Sequence, residues 1–161
     1  MKFLIVITVL SLHLGACSKQ TDPQVAFDNG DYETSFRIWK GQAEAGDIRA
    51  QNYVGIHYYM GYGTPRNYDM AMQWYERAAG AGELHAQRNL GLMYETGQGV
   101  DRDFEKAFVW LYAAHRQGNK NADGALDTLV NKLSPNNQMQ LKKVARQYVY
   151  NDVIGPDDDD Y

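Results

Sequence analysis

Few side chains in this sequence are of types that do covalent chemistry, and their spacing limits what they could do. Beyond the first sixteen residues there are three histidines, His57, His85 and His115, three serines, Ser18, Ser35 and Ser134, and one cysteine, Cys17. A nucleophilic triad needs a serine or cysteine, a base and an orienting carboxylate. None of the serines sits in the glycine-flanked turn that exposes a nucleophile. A zinc site needs converging ligands, and no two histidines are spaced to share a helix face. One cysteine excludes a disulfide framework and a cysteine-rich metal site. Asp101 and Asp103 read as the acidic start of a helix, where carboxylates meet its positive end. Gly61-Tyr62-Gly63 and Gly97-Gln98-Gly99 lack the Gly-Lys-Ser/Thr of a phosphate loop. The residues therefore assign no catalytic side chain, no metal ligand and no cofactor.

The charge and length bound the rest. Sixteen Lys and Arg against twenty Asp and Glu give a net charge of −4, whereas general nucleic-acid binders need a positive field to displace counterions. A chain of 161 residues has room for one compact domain. Phe3 to Leu14 is an apolar run broken only by Thr8, Ser11 and His13, after a single positive charge at Lys2. Twelve helical residues rise about 18 Å, short of the roughly 30 Å hydrocarbon core, so this is the layout of a secretory leader and not of a membrane span. Leu14-Gly15-Ala16-Cys17 follows. It resembles the bacterial lipobox, and that resemblance implies that residues 1–16 are removed and that Cys17 carries a thioether-linked diacylglycerol and an N-acyl chain. Two or more chains anchor stably where one holds marginally. Ser18 after the cysteine resembles the signal for export to the outer membrane. The expected location is the cell envelope, lipid-anchored at the outer membrane and facing the periplasm. Residues 17–29 are expected to form the lipidated start and a linker, and the aspartate run in 153–161 a solvated, disordered tail.

Between these ends the chain repeats itself at a shift of thirty-six. Ala50 matches Ala86 and Ala122; Gly55 matches Gly91; Tyr58 matches Tyr94. Gly61 and Gly63 match Gly97 and Gly99, Ala71 matches Ala107, and Trp74 matches Trp110. Ser35 stands where later copies carry Ala71 and Ala107, which reads as packing. Ala50, Val54 and Tyr58, like Ala86, Leu90 and Tyr94, are spaced by four on one helix face. Ala71, Trp74, Tyr75 and Ala78 form a second apolar stripe, and glycines punctuate the turn between stripes. Each unit is thus a helix hairpin. Trp39, Trp74 and Trp110 recur at the interhelix position and read as core.

The pattern resembles the Sel-one-like repeat, a relative of the tetratricopeptide repeat. Full copies fall at about 48–83 and 84–119, with a half copy before them. The resemblance implies an all-α, right-handed solenoid of stacked antiparallel helix hairpins over 30–133. In 120–133, Asp127 replaces the repeat glycine and Val130 the tyrosine, so the family face is expected to fade there. Ser134-Pro135 signals a C-terminal capping helix over 134–152.

If the stack follows tetratricopeptide arrays, the first helices line a concave groove. Arg49, Asn52, Tyr53, Ile56 and Tyr59 in one copy, and His85, Arg88, Asn89, Leu92 and Glu95 in the next, would point into it. Amides suit a peptide backbone, arginine a carboxylate, and tyrosine an apolar surface with a polar tip. The expected function is a non-catalytic adaptor of the bacterial envelope that binds a protein or peptide there, held to the membrane by lipid and binding no nucleic acid. Two alternatives are a peptidoglycan- or β-lactam-binding or -hydrolysing repeat protein and a structural subunit of an envelope complex. Relatives described as acting on penicillin-type substrates carry a cysteine pair in each repeat, and this chain has none.

Overall fold

A computed structural model describes residues 22–149. These form eight α-helices: α1 (Pro23–Asp28), α2 (Tyr32–Glu44), α3 (Ile48–Met60), α4 (Tyr68–Gly80), α5 (Leu84–Thr96), α6 (Phe104–Arg116), α7 (Asp123–Val130) and α8 (Pro135–Ala145). Single 3-10 turns precede α7 and follow α8. The leader, Cys17 and the aspartate tail lie outside the described residues.

The period of thirty-six is written into the helix ends as well as the faces. Asp31, Asn67 and Asp103 cap the second helices α2, α4 and α6 with their side chains. Asp47 and Glu83 cap the first helices α3 and α5, and Asn119 caps the turn at the start of the third copy. Each carboxylate or amide satisfies backbone N–H groups that the first helical turn leaves unpaired. The helices α2 to α6 are all thirteen residues long. α3 packs on α4 and α5 on α6 as hairpins, and α4 against α5 joins one hairpin to the next. The hairpins close around the helical glycines. A Cβ on Gly55 would stand 2.5 Å from the Tyr75 ring, and one on Gly91 would stand 2.6 Å from Leu111 Cγ. Stacking uses the second glycine of the turn. Gly63, in the left-handed region, lies against the Tyr32 carbonyl at the start of α2, and Gly99 against Tyr68 at the start of α4.

The main core gathers Leu90, Met93, Phe108, Leu111, Leu126 and Leu129 with alanines from α4 to α8. A smaller cluster of Ala43, Ala50, Val54 and Trp74 joins α2 to α3 and α4.

The edges of the stack depart from expectation at Pro23 and at Ala145. The linker expected over 17–29 is helical from Pro23, because Asp22 caps α1 and Pro23 presets its first turn. Phe27 then packs edge-on against Tyr32, His57 and Tyr62, completing a shortened first hairpin with α2. The third copy keeps Ala122 and Leu126 buried, while Asp127 and Val130 are exposed, so α7 lasts only eight residues. The capping helix begins on the Ser134 cap as expected but gives way at Ala145 to a 3-10 turn over Arg146–Tyr148. That turn lays the Tyr148 ring against Trp110, with centroids 4.3 Å apart. Its carbonyl accepts from buried Gln87 Nε2 at 2.7 Å.

Candidate functional site

The first helices α3 and α5 lie side by side, and a groove of about 280 Å³ opens between them. Ile56, Tyr59, Arg88, Asn89 and Leu92, five of the ten residues expected there, line it together. Helical spacing does this: Ile56 and Tyr59 share one face of α3, and Leu92 lies one turn beyond Arg88 and Asn89 on α5. The lining is mostly apolar, with polar groups at its edges. Burial, with a smaller push from nearby Tyr68, raises the Tyr59 pKa above its ordinary value. The phenol is therefore neutral, and it donates to Gln98 of the next turn. Arg88 Nε donates to the Asn121 carbonyl at 3.1 Å, which fixes the base of its guanidinium.

The other five expected residues are placed elsewhere. Asn52 is 5 % exposed and accepts from Asn89 Nδ2 at 3.1 Å. That bond couples α3 to α5, and Asn52 does not line the groove. Tyr53 turns toward α2 and stacks on Trp39 at 4.3 Å. Arg49 and His85 are exposed on the first turns of α3 and α5, outside the groove lining, and half-buried Glu95 is outside it as well. The tilt of one hairpin on the next, which a per-helix period does not contain, decides which turns face each other. Two lining residues escaped the sequence reading. Met60 is one turn beyond Ile56, a signal that spacing carried. Tyr75 comes from the second helix α4, on the apolar stripe that packs against α3. Among the three repeated tryptophans, Trp74 is buried as expected, while Trp39 and Trp110 are only half-buried.

The histidine and serine chemistry can also be placed. Ser35 Oγ lies 3.2 Å from His57 Nε2, and His57 Nδ1 lies 2.8 Å from the Tyr62 carbonyl. The carbonyl can only accept, so Nδ1 carries the proton and Ser35 donates to Nε2. Both residues are fully buried. A serine that donates to its histidine would be ready for proton transfer, but no carboxylate orients this one and substrate has no access. The pair is structural. His115 Nδ1 pairs with Asp123 at 2.7 Å on the surface. Among the described residues, no three His, Cys, Asp or Glu side chains gather into a metal site.

Residues 48–83 and 84–119 each match the family model of the Sel1 repeat. The chain carries two Sel1 repeats. Solved structures have the same architecture. One is c5321, a protective antigen present in uropathogenic Escherichia coli strains that displays an SLR fold. It is 23 % identical with a TM-score of 0.70, over 81 % of this chain and 30 % of that one. Another is a Sel1 repeat protein from Oxalobacter formigenes, 27 % identical with a TM-score of 0.65, over 81 % of this chain and 56 % of that one. The present chain therefore spans less than two thirds of either. No curated protein matches it. The fold is an all-α, tetratricopeptide-like solenoid. Proteins built from Sel1 repeats are generally protein-interaction adaptors and typically non-catalytic.

Proposed function

We propose that this protein is a lipid-anchored adaptor of the bacterial cell envelope that captures a protein segment in the groove between α3 and α5. The observation that carries this reading is the groove itself: consecutive Sel1 repeats bring Ile56, Met60 and Leu92 into one open apolar trough edged by Tyr59, Arg88 and Asn89. An apolar trough with a few placed donors and acceptors suits a peptide that buries side chains and keeps its backbone hydrogen-bonded. Repeat stacks present such surfaces without any catalytic constellation. The sequence supports the location, through the apolar leader and Leu14-Gly15-Ala16-Cys17, with the outer membrane suggested by Ser18. Among the described residues no helix is long and apolar enough to cross a membrane, so a lipid on Cys17 would supply the attachment.

A photo-crosslinking side chain placed at Leu92 in native envelopes tests the groove, with the same group at exposed Gln73 of α4 as control. The expected result is one protein, identified by mass spectrometry, joined from position 92 and not from 73. Equal or absent crosslinking from 92 would overturn the groove. Fatty-acid labelling that is lost in Cys17→Ser is expected for the anchor, and labelling retained in that variant would refute it.

A further inference from the structure

A second pocket, of about 430 Å³, shares no lining residue with the groove. One wall is apolar and comes from two elements: Val109 and Trp110 of α6, and Leu141 and Val144 of α8, with Tyr148 beyond them. Val144 is 45 % exposed there, an aliphatic side chain left open to water.

The acidic part of the lining comes from Glu76 of α4 and from Asp103 and Glu105 at the start of α6, with a single cation, Lys106, on the same helix as Val109 and Trp110. Asp103 caps α6, and Lys106 Nζ lies 3.4 Å from its Oδ2 on a largely exposed stem. Glu105 accepts from the Asn137 amide. Glu76 has no hydrogen-bond or ion-pair partner among the described residues, and the three carboxylates outnumber the one ammonium. Tyr94 also lines the pocket; it is only 6 % exposed, and among the described residues its hydroxyl has no hydrogen-bond partner. Burial and the nearby Glu76 carboxylate raise its pKa, so it remains a neutral phenol able to accept or donate.

The repeat supplies an internal control. One period earlier, Lys40, Asn67, Met70 and Gln73 occupy the places of Glu76, Asp103, Lys106 and Val109. The earlier repeat folds without charges matching Glu76, Asp103 and Lys106, although Asp69 keeps the place of Glu105, so the scaffold does not require those three.

We propose that this pocket binds an organic cation, a primary ammonium carried on an apolar body. The body lies against Trp110 and Val144, the ammonium lies between Glu76 and Asp103, and the Tyr94 hydroxyl accepts one of its N–H groups. Ammonium over aromatic and carboxylate groups is favourable where water is partly excluded. The same chemistry occurs on free amines and on lysine side chains of peptides.

The test uses the full-length protein and 2-phenylethylammonium chloride, followed by NMR at the Trp110 indole N–H and the Val144 methyls. The expected result is saturable binding at about 0.1–1 mM, in keeping with a ligand of this size. The Met60 methyl in the groove should stay unmoved. The neutral 2-phenylethanol should bind about tenfold more weakly, Glu76→Gln should weaken the amine about tenfold, and Tyr94→Phe about threefold. A second arm with acetyl-Phe-Lys amide separates the sources. Tighter binding than the free amine assigns the site to a peptide lysine, and weaker binding assigns it to a small amine. No saturable binding, equal binding of the alcohol, or an unchanged affinity in Glu76→Gln would overturn the proposal.

Discussion

His57 shows how one side chain can make a local stretch of the stack sensitive to pH. It is fully enclosed by Phe27, Phe36, Tyr62 and Ser35, and burial lowers its pKa below the ordinary 6.5. The folded protein therefore keeps it neutral while the unfolded chain takes up a proton first. Its contribution is fully present above pH 6.5 and is lost as pH falls from there through the lowered folded value. The next repeat places Ala71 and Met93 where Ser35 and His57 stand, and both are buried without a polar bond. The double variant Ser35→Ala, His57→Met copies that solution. Melting temperatures measured between pH 7.5 and pH 5 should fall less steeply in the variant than in the parent. The same acid-side slope in both would remove His57 as the cause.

At the scale of the helix, close approach between backbones sets the hairpin. Gly91 has Leu111 Cγ and the Ala107 carbonyl around the place of its missing Cβ, whereas Gly41, in the interior of α2, has nothing within 4 Å. Gly91→Ala should cost about 1–3 kcal/mol by overpacking. Gly41→Ala should instead add about 0.5–1 kcal/mol, since it removes only backbone freedom from the unfolded chain. Denaturant melts of the two variants check the pair, and equal shifts would contradict the packing account. The same scale explains what was legible in the sequence. Periods of four and thirty-six carry local facts, so the hairpins, the Gly-x-Gly turns and the Ser134 cap could all be read. The helix in 23–28 was hidden because six residues are too few to show a period, although Asp22-Pro23 held its start signal. The 3-10 turn at Tyr148 depends on Trp110 and Gln87, both distant in the chain, and no local pattern announces it.

The whole molecule joins two surfaces of different chemistry on one rod. The groove between α3 and α5 is mostly apolar with amide and guanidinium edges, while the pocket under α8 is aromatic and acidic. Half of the expected groove residues reach the groove because the tilt between hairpins selects among turns that a single helix treats alike. Asn52 illustrates the consequence: its bond to Asn89 makes it part of the scaffold, so changing it would loosen the stack along with any contact to a ligand. Side chains on the open walls separate the two effects. Met60 is 52 % exposed and Leu92 is half-buried, and neither makes a polar bond. The most direct measurement is co-purification of the partner that crosslinking at position 92 identifies, with a chain that carries no crosslinker but Met60→Glu with Leu92→Gln, compared with Gln73→Glu on α4. A groove that binds protein predicts loss of the partner in the double variant, retention in Gln73→Glu, and an unchanged helical signal in both. Full recovery of the partner with the double variant would contradict it.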